Sequence, residues 1–224
     1  SMKEKSYKLT KSKIASGLQC KKKLWFDIHE PLKKTKKALF ERGKLFNEKI
    51  RKHYTNLHGK ELNLDGVWDD LVNKTKKAIN SKNINVIYEA TFEYLNTQVR
   101  TDVLIRKKNG WELLEAKSST RLKDEHIPDI SIQSFIVREC LKQIGHNLIS
   151  CKLIHINKDF TLENTEDYTD LINDENDISN KIIEIEKEIP NYIKDLLPLT
   201  EENSPCPEIE MGTHCNKPNE CNYK

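Results

Sequence analysis

Apolar side chains recur at steps of three and four residues in the N-terminal third of the chain, which is the spacing of amphipathic helices. A first helix is predicted to begin at a cap on Thr10 or Ser12 and to continue to Glu30, where Pro31 interrupts it. Its inward positions are Ile14, Leu18, Leu24, Trp25 and Ile28. Gly17 lies among them and predicts close packing against a neighbouring element.

The next two amphipathic stretches predict two more helices. One is predicted from about Lys36, and its buried stripe comprises Leu39, Gly43, Phe46, Ile50, His53 and Leu57. The other runs from Trp68 to about Asn80 and is shorter. The N-terminal part of the chain is therefore expected to be helical.

The pattern then changes to short stretches that are rich in Val, Ile, Thr and aromatic residues. These stretches are Asn85–Tyr94, Thr97–Arg106 and Trp111–Ser118, and Asn109-Gly110 separates the last two. Because turn-prone residues lie between them, three antiparallel strands are predicted.

Downstream of these strands the pattern alternates between helix and strand. Pro128 is predicted to open a helix that Gly145 ends, and Leu148–Asn157 is predicted to be a strand that rejoins the sheet. A long acidic helix is predicted over about 177–197, interrupted or kinked at Pro190. A tail that contains Pro and Cys follows.

This order of elements predicts an α/β fold in one compact domain. Residues 1–82 form its basic helical part, residues 83–160 its core, and residues 161–224 the acidic helix and the Cys tail. A chain of 224 residues is long enough for a sizeable core.

Composition and charge narrow the class of protein. Hydrophobic residues make up 36% of the chain, and no apolar run approaches the ~20 residues that span a bilayer. The N-terminal residues form no apolar leader, so we expect a cytoplasmic protein that does not bind membranes. The six cysteines are then better candidates for metal ligands or core residues than for disulfides.

Charge is unevenly distributed along the chain. Residues 1–60 hold 18 Lys and Arg against 5 Asp and Glu, whereas residues 159–210 hold 3 against 16. The basic segment is a candidate phosphate path, with Lys21, Lys22, Lys23, Lys33 and Lys34 as the nucleic-acid-binding residues. The alternative is that the two segments lie against each other, or that their charges are simply solvated.

Placing Asn109-Gly110 at the tip of a two-residue hairpin pairs residues whose numbers sum to 219. Asp102 is then opposite Lys117, and Glu115 lies two residues away on the same face. A tight turn before Thr97 would also bring Glu89 opposite Asp102. Carboxylates that cluster in this way predict a site for Mg²⁺ or Mn²⁺, whose ligands are Asp102, Glu115 and Glu89.

Asp102, a gap of twelve residues, and then Glu115-Ala116-Lys117 resemble the core of the PD-(D/E)XK nuclease superfamily. Gln133 on the following helix, with Asp129 one turn before it, is similar to the RecB-like branch. The resemblance implies a restriction-endonuclease-like mixed sheet flanked by helices. It also implies that Asp102, Glu115, Lys117, Gln133 and Glu89 are the catalytic residues.

The N-terminal segment, from Leu9-Thr10-Lys11-Ser12 to Lys23-Leu24-Trp25, is similar to CRISPR-associated RecB-like exonucleases and related uncharacterised bacterial nuclease domains. Two positions depart from the family pattern. Asn47 stands where many relatives have a His, and Val137 stands where many have a Tyr, so Phe135 is a candidate substitute.

The resemblance also implies an iron–sulfur cluster of the four-iron four-sulfur type. One N-terminal cysteine and three C-terminal cysteines would hold it, namely Cys20, Cys206, Cys215 and Cys221. Gly212 stands where relatives have the middle Cys, so Cys206 or a residue beyond Lys224 must substitute. The alternatives are a zinc site with His214 as a ligand, or no metal. Cys140 and Cys151 are expected in the core.

The expected function is that of a metal-dependent DNA nuclease, acting as an exonuclease on DNA ends or single strands. The alternative is a nucleic-acid-binding or assembly subunit whose nuclease site is degenerate. A purely structural iron–sulfur module would leave the acidic set unexplained. The sequence has no Walker A motif, so a helicase, CRISPR or repair partner would supply any motor activity.

Overall fold

The structure is a computed structural model, and it describes residues 7–33, 37–64, 66–117, 126–156 and 172–224. Within these ranges, the side chains of residues 37–46, 156 and 172–176 are not described. The described chain is a mixed α/β fold with two sheets, which confirms the predicted class.

Six α-helices are described, and we number them in chain order. They are Lys11–Gln19 (α1), Lys21–His29 (α2), Lys37–His58 (α3), Trp68–Asn80 (α4), His126–Gln143 (α5) and Ser179–Leu196 (α6). Short 3₁₀ turns follow at Leu197–Thr200 and Thr213–Cys215. None of the described helices is long and apolar enough to cross a membrane.

The strands are Leu9–Thr10 (β1), Glu61–Asn63 (β2), Val86–Tyr88 (β3), Thr91–Tyr94 (β4), Thr97–Arg100 (β5), Val103–Lys107 (β6), Gly110–Lys117 (β7), Leu148–Ile156 (β8) and Ile172–Asp177 (β9). They form a small sheet of order β1-β5-β4 and a larger one of order β2-β3-β6-β7-β8-β9. The sequence pattern predicted none of β1, β2 and β9.

The predicted first helix is two helices, so the prediction of one continuous helix was wrong. Thr10 caps α1, because its side-chain oxygen accepts a hydrogen bond from the Lys13 amide at 3.3 Å. Cys20 then takes an extended conformation, with φ −165° and ψ 122°, and ends α1 before α2 begins. The close packing predicted at Gly17 is present, since a Cβ there would lie 2.7 Å from a Leu196 methyl group.

Helices α3 and α4 lie where the sequence predicted them, but the buried face of α3 is rotated. Ile50 and Tyr54 are buried, whereas Leu57 is 62% exposed. Residues 50 and 54 are one turn apart and pack on the sheet, with Val86, Tyr88 and Val103 in their cluster. The N-terminal half of the predicted stripe lies among side chains that are not described.

One long antiparallel hairpin supplies strands to both sheets. Its residue numbers sum to 191 throughout, from Tyr94 opposite Thr97 to Val86 opposite Ile105, as the predicted turn requires. Glu89 has a φ of +58°, and at this point the hairpin leaves the small sheet and enters the large one. The predicted continuous strands are therefore each divided in two.

The predicted register of the next hairpin was wrong by two residues. Lys107 pairs with Gly110, so the loop is Lys108-Asn109 and paired residue numbers sum to 217 rather than 219. Gly110 is needed at the closing position, because its φ is +156° and a Cβ there would lie 2.5 Å from the Asn147 carbonyl oxygen. A shift of two residues keeps every side chain on its predicted face.

Helix α5 is buried on almost all sides of its middle turns. Strand β8 rejoins the large sheet, as predicted, and lies parallel to β7. The acidic helix continues through Pro190, so the predicted alternative of an interruption there was wrong. One face of the large sheet packs against α5 and α6 through Leu104, Leu113 and Leu153, and the other packs against α3.

We predict that Gly110→Ala costs more free energy of unfolding than Gly145→Ala. Both glycines have a positive φ, which costs an alanine about 1–2 kcal/mol. A Cβ at position 110 would also meet the Asn147 carbonyl, which is expected to add about 1–3 kcal/mol, whereas no described atom lies within 4 Å of one at position 145. Urea unfolding measures both costs, and equal values would contradict this account of the β7–β8 junction.

Candidate active site

Two carboxylates meet at the edge where β6 begins. In the observed register Asp102 is opposite Glu115, rather than opposite Lys117 as predicted, and Lys117 lies two residues further along the same face. The Asp102 Oδ2 atom accepts a hydrogen bond from the Ala116 amide at 2.8 Å. Each of the two carboxyl groups also shifts the pKa of the other. The three predicted residues are therefore adjacent on one face.

Two ammonium groups lie between these carboxylates and Asp129 on α5. Lys117 Nζ is 3.3 Å from Glu115 Oε1 and donates a short hydrogen bond to Asp129. Lys11 Nζ is 3.0 Å from the same Glu115 oxygen and 3.2 Å from Asp129 Oδ2. Sequence reasoning did not assign Lys11 to the site, because the contact spans 104 positions and Lys11 is one of many lysines in a basic segment.

Burial and mutual repulsion set the protonation of the carboxylate pair. Burial and the neighbouring Glu115 raise the pKa of Asp102 well above its ordinary value. Burial also acts to raise the pKa of Glu115, but Lys11 and Lys117 outweigh it and the net pKa is lowered. The two pKa values therefore shift in opposite directions, so Asp102 takes up a proton more readily than Glu115 does.

Buried polar atoms that hydrogen-bond to no described group occur on Glu115 and on Gln133 of α5, one turn after Asp129. The Oε2 atom of Glu115 is buried and has no hydrogen-bond partner among the described residues. The same holds for both amide atoms of Gln133, which is fully buried on α5. Buried polar groups normally have partners, so these orphaned atoms are the expected mark of a site that binds something.

The Glu89 side chain lines a narrow cleft together with Asp102, Asn47 and Arg51. Its carboxylate is 3.1 Å from an Arg51 nitrogen and 3.5 Å from an Arg100 nitrogen. Asn47, which departs from the family pattern, thus lines the same cleft as Asp102.

Val137 and Phe135, the other departure and its candidate substitute, belong to the core. Val137 is fully buried, and Phe135 packs edge to face against Tyr94 at a centroid distance of 5.9 Å.

Most of the predicted nucleic-acid-binding lysines contact the rest of the chain. Lys21 pairs with Asp195 of the acidic helix at 2.9 Å. At this position the basic and acidic segments contact each other, which was the alternative to a phosphate path. Lys22 bonds to the Ile209 carbonyl and Lys23 to the Gln19 side chain. Lys33 is exposed, and Lys34 lies outside the described residues.

Three of the four predicted cluster cysteines line one pocket between α2 and the tail. Cys20, Cys215 and Cys221 line it, together with His214. The Gly212 amide donates to Cys215 Sγ at 3.5 Å, and Cys215 Sγ is 3.8 Å from His214 Nε2. Cys206 does not line this pocket, and its thiol donates to the Pro207 carbonyl. Cys151 is buried and Cys140 is half-buried beside the core.

The tail is fastened to the first two helices by polar and aromatic contacts. The Gln19 amide donates to the carbonyls of His214 and Asn219, at 2.8 Å each. The Tyr223 ring stacks on Phe26, and its hydroxyl donates to Asp27. These contacts hold the C-terminal tail against α1 and α2.

Neither group of residues forms a complete metal site as it stands. Within the described ranges, no group of three or more His, Cys, Asp or Glu side chains is arranged to hold a metal ion. At Asp102 and Glu115 the nearby cations are Lys11 and Lys117.

Comparison with known proteins leaves the family open. No family model matches the chain, and no curated protein matches it. A solved structure described as "Crystal structure of SSO0001" is similar over 85% of this chain and 78% of its own, with 14% identity and a TM-score of 0.33. A likeness this low carries no argument about fold or function.

We predict that Asp102→Asn and Glu115→Gln affect metal-free protein differently. Because the pKa of Asp102 is raised in the folded state, folded Asp102 keeps a proton that the unfolded chain releases. The free energy of unfolding should therefore fall as pH rises above about 4. Asp102→Asn should remove this dependence at little cost. Glu115→Gln removes the charge that Lys11 and Lys117 neutralise, and should cost about 1–3 kcal/mol at neutral pH.

Urea unfolding in EDTA, repeated between about pH 5 and pH 7, measures both effects. Equal losses in the two variants, or an unchanged pH dependence in Asp102→Asn, would show that the proton is not held at Asp102.

Proposed function

We propose that this protein is a divalent-metal-dependent nuclease with a restriction-endonuclease-like core. The observation that carries the proposal is the placement of Asp102 opposite Glu115, with Lys117 on the same face and an unpartnered Glu115 oxygen among the described residues. Two carboxylates and an ammonium are the groups that metal-assisted phosphodiester hydrolysis needs. A sequence resemblance to PD-(D/E)XK nucleases points to the same residues.

The donor set fits Mg²⁺ or Mn²⁺, because both ions prefer carboxylate oxygens. Asp102 and Glu115 would hold the ion, and Glu115 Oε2 offers an oxygen that no described group occupies. A bound divalent ion supplies Lewis-acid polarisation of a phosphoryl oxygen and lowers the pKa of a water molecule. A metal ligand must be deprotonated, and the pKa of Asp102 is raised by burial and by Glu115, so ion binding should weaken as pH falls.

Lys117 would stabilise the negative charge that develops on the phosphate during cleavage. Its ammonium is fixed by Glu115 and Asp129, and it can donate hydrogen bonds to an attacking water or to the developing phosphorane charge. Gln133 is buried beside the site with its amide unpaired among the described residues, so it can bind a water or a substrate oxygen. Each role needs only a small movement of the side chain.

The substrate would approach along the cleft that Glu89 lines. Arg51 and Arg100 lie there with 31% and 36% of their side chains exposed, and the Arg100 guanidinium stacks on the Trp68 ring at 5.1 Å. Guanidinium groups and an exposed aromatic edge suit a phosphate backbone and its bases. The resemblance favours DNA ends or single strands, and a helicase, CRISPR or repair partner stays a prediction.

We predict that the protein cleaves end-labelled single- or double-stranded DNA with Mg²⁺ or Mn²⁺ and does not cleave it in EDTA. Asp102→Ala and Glu115→Ala should each lower cleavage at least ~100-fold and weaken ion binding. Lys117→Ala should lower cleavage similarly while ion binding remains, since an ammonium is no ligand. Degradation of labelled ends on denaturing gels measures the rate.

Glu112→Gln is the matched control, because Glu112 is a buried carboxylate on the opposite face of β7 that pairs with Lys152. It should retain cleavage. Full activity of Asp102→Ala or Glu115→Ala would overturn the proposed site. DNA binding without cleavage under every metal condition would favour the alternative function, a binding or assembly subunit.

We propose separately that the cysteine pocket holds a metal that joins the two ends of the chain. Two donor sets compete for it. Cys20, Cys215, Cys221 and His214 line the pocket and would suit zinc. An iron–sulfur cluster would instead need Cys206 to turn toward the other three cysteines.

We predict that one of two substitutions removes this metal. If the occupant is an iron–sulfur cluster, anaerobically purified protein is brown, and Cys206→Ser bleaches it while His214→Ala does not. If it is zinc, the protein is colourless with one zinc, and His214→Ala releases it. Cys140→Ser should change neither metal content nor colour. Metal-free wild-type protein would overturn both assignments.

A further inference from the structure

The Lys11 side chain occupies the position among the site carboxylates that a cation would take. Its Nζ atom is 3.0 Å from Glu115 Oε1 and 3.2 Å from Asp129 Oδ2, and the charge of Asp102 also acts on it. Burial opposes the charged form, yet the carboxylates raise the pKa of Lys11 above its ordinary value. Two carboxylates, one on β7 and one on α5, therefore contact this ammonium.

The backbone around Lys11 is fixed by the fold. Leu9 is fully buried, its amide donates to the Asn96 carbonyl at 3.0 Å, and β1 pairs with β5. Thr10 then caps α1, so Lys11 is the first residue of a helix whose start cannot move freely. The fold of the N-terminal segment therefore places Lys11 next to Glu115.

The site also contains a second ammonium with the same two partners. Lys117 contacts both Glu115 and Asp129, so the two lysines share one pair of carboxylates. A divalent ion at Asp102 and Glu115 would place two more positive charges beside both ammonium groups. One ammonium must then leave, unless the ion binds weakly.

Lys11 is the group that can leave. Lys117 belongs to the same strand as Glu115, only two residues away, whereas Lys11 reaches the site from another element. The Lys11 side chain is also the more exposed, at 27% against 20% for Lys117. Its four-carbon stem can turn the ammonium toward solvent without moving the backbone of α1.

We propose that Lys11 is a resident counter-ion, which holds the two carboxylates together in the metal-free protein and is displaced when a divalent cation binds. The inference rests on the proposed function, because it needs Asp102 and Glu115 to be the ion's ligands. It adds that the ion competes with a side chain of the chain itself.

Mn²⁺ binding to the full chain without nucleic acid tests the competition, with the free ion measured by electron paramagnetic resonance. Lys11→Met keeps the length of the side chain and removes its charge, so it should bind Mn²⁺ about tenfold more tightly than wild type. Lys13→Met removes a lysine charge from the same helix and should leave the affinity unchanged. Equal or weaker Mn²⁺ binding by Lys11→Met would overturn the inference.

A measurement on the wild-type protein covers the case in which Lys11→Met does not fold. Acylation of lysine amines, read by peptide mass spectrometry, should label Lys11 slowly in EDTA and several-fold faster with saturating Mg²⁺. Labelling of Lys8, which is exposed on β1's N-terminal side, should not change. Unchanged Lys11 labelling at saturation would overturn the displacement.

The two proposals fail in distinguishable ways. If wild type binds Mn²⁺ and Lys11→Met binds it no better, the resident counter-ion is wrong and the nuclease proposal stands. If neither chain binds Mn²⁺, both proposals are overturned.

Discussion

The placement of two carboxyl groups, Asp102 and Glu115, opposite each other where β6 begins is the constraint on which the arrangement of the surrounding elements depends. Like charges that lie close together repel, so they persist only with compensation. The pKa of Asp102 is raised, which favours its neutral form, and the ammonium groups of Lys11 and Lys117 contact Glu115. Strand β7 provides one of these groups, but the other must come from the N-terminal segment, which ties α1 to the sheet.

The grouping of Asp102, Glu115 and Lys117 on one face could be predicted from sequence. It follows from the alternation of side chains along a strand and does not require the correct turn. The observed register differs from the predicted one by two residues, and an even shift preserves the face of every side chain. Asp102, Glu115 and Lys117 were therefore correctly grouped from an incorrect pairing. A shift of one residue would have separated them, and the position of Gly110 against Asn147 is what excludes it.

Features that depend on long-range contacts could not be predicted in the same way. Glu89 lies opposite Asp102 in the hairpin, as predicted. Its φ of +58° and its ion pairs with Arg51 and Arg100 determine where its carboxylate lies. The break at Cys20 has no Pro or Gly to signal it, and its extended backbone separates two helices that both pack against the tail. Lys11 was hidden among the lysines of a basic segment, although its place just after the Thr10 cap was a usable signal for a fixed side chain.

Helix α1 connects the two candidate sites, because Lys11 lies at its start and Cys20 follows its end. Nine helical residues span about 13 Å, so neither side chain reaches the other site. The helix is held along its length, since Gly17 packs on Leu196 and the Gln19 amide holds the tail. One short helix therefore carries both the ammonium that contacts Glu115 and the amide that holds the C-terminal tail.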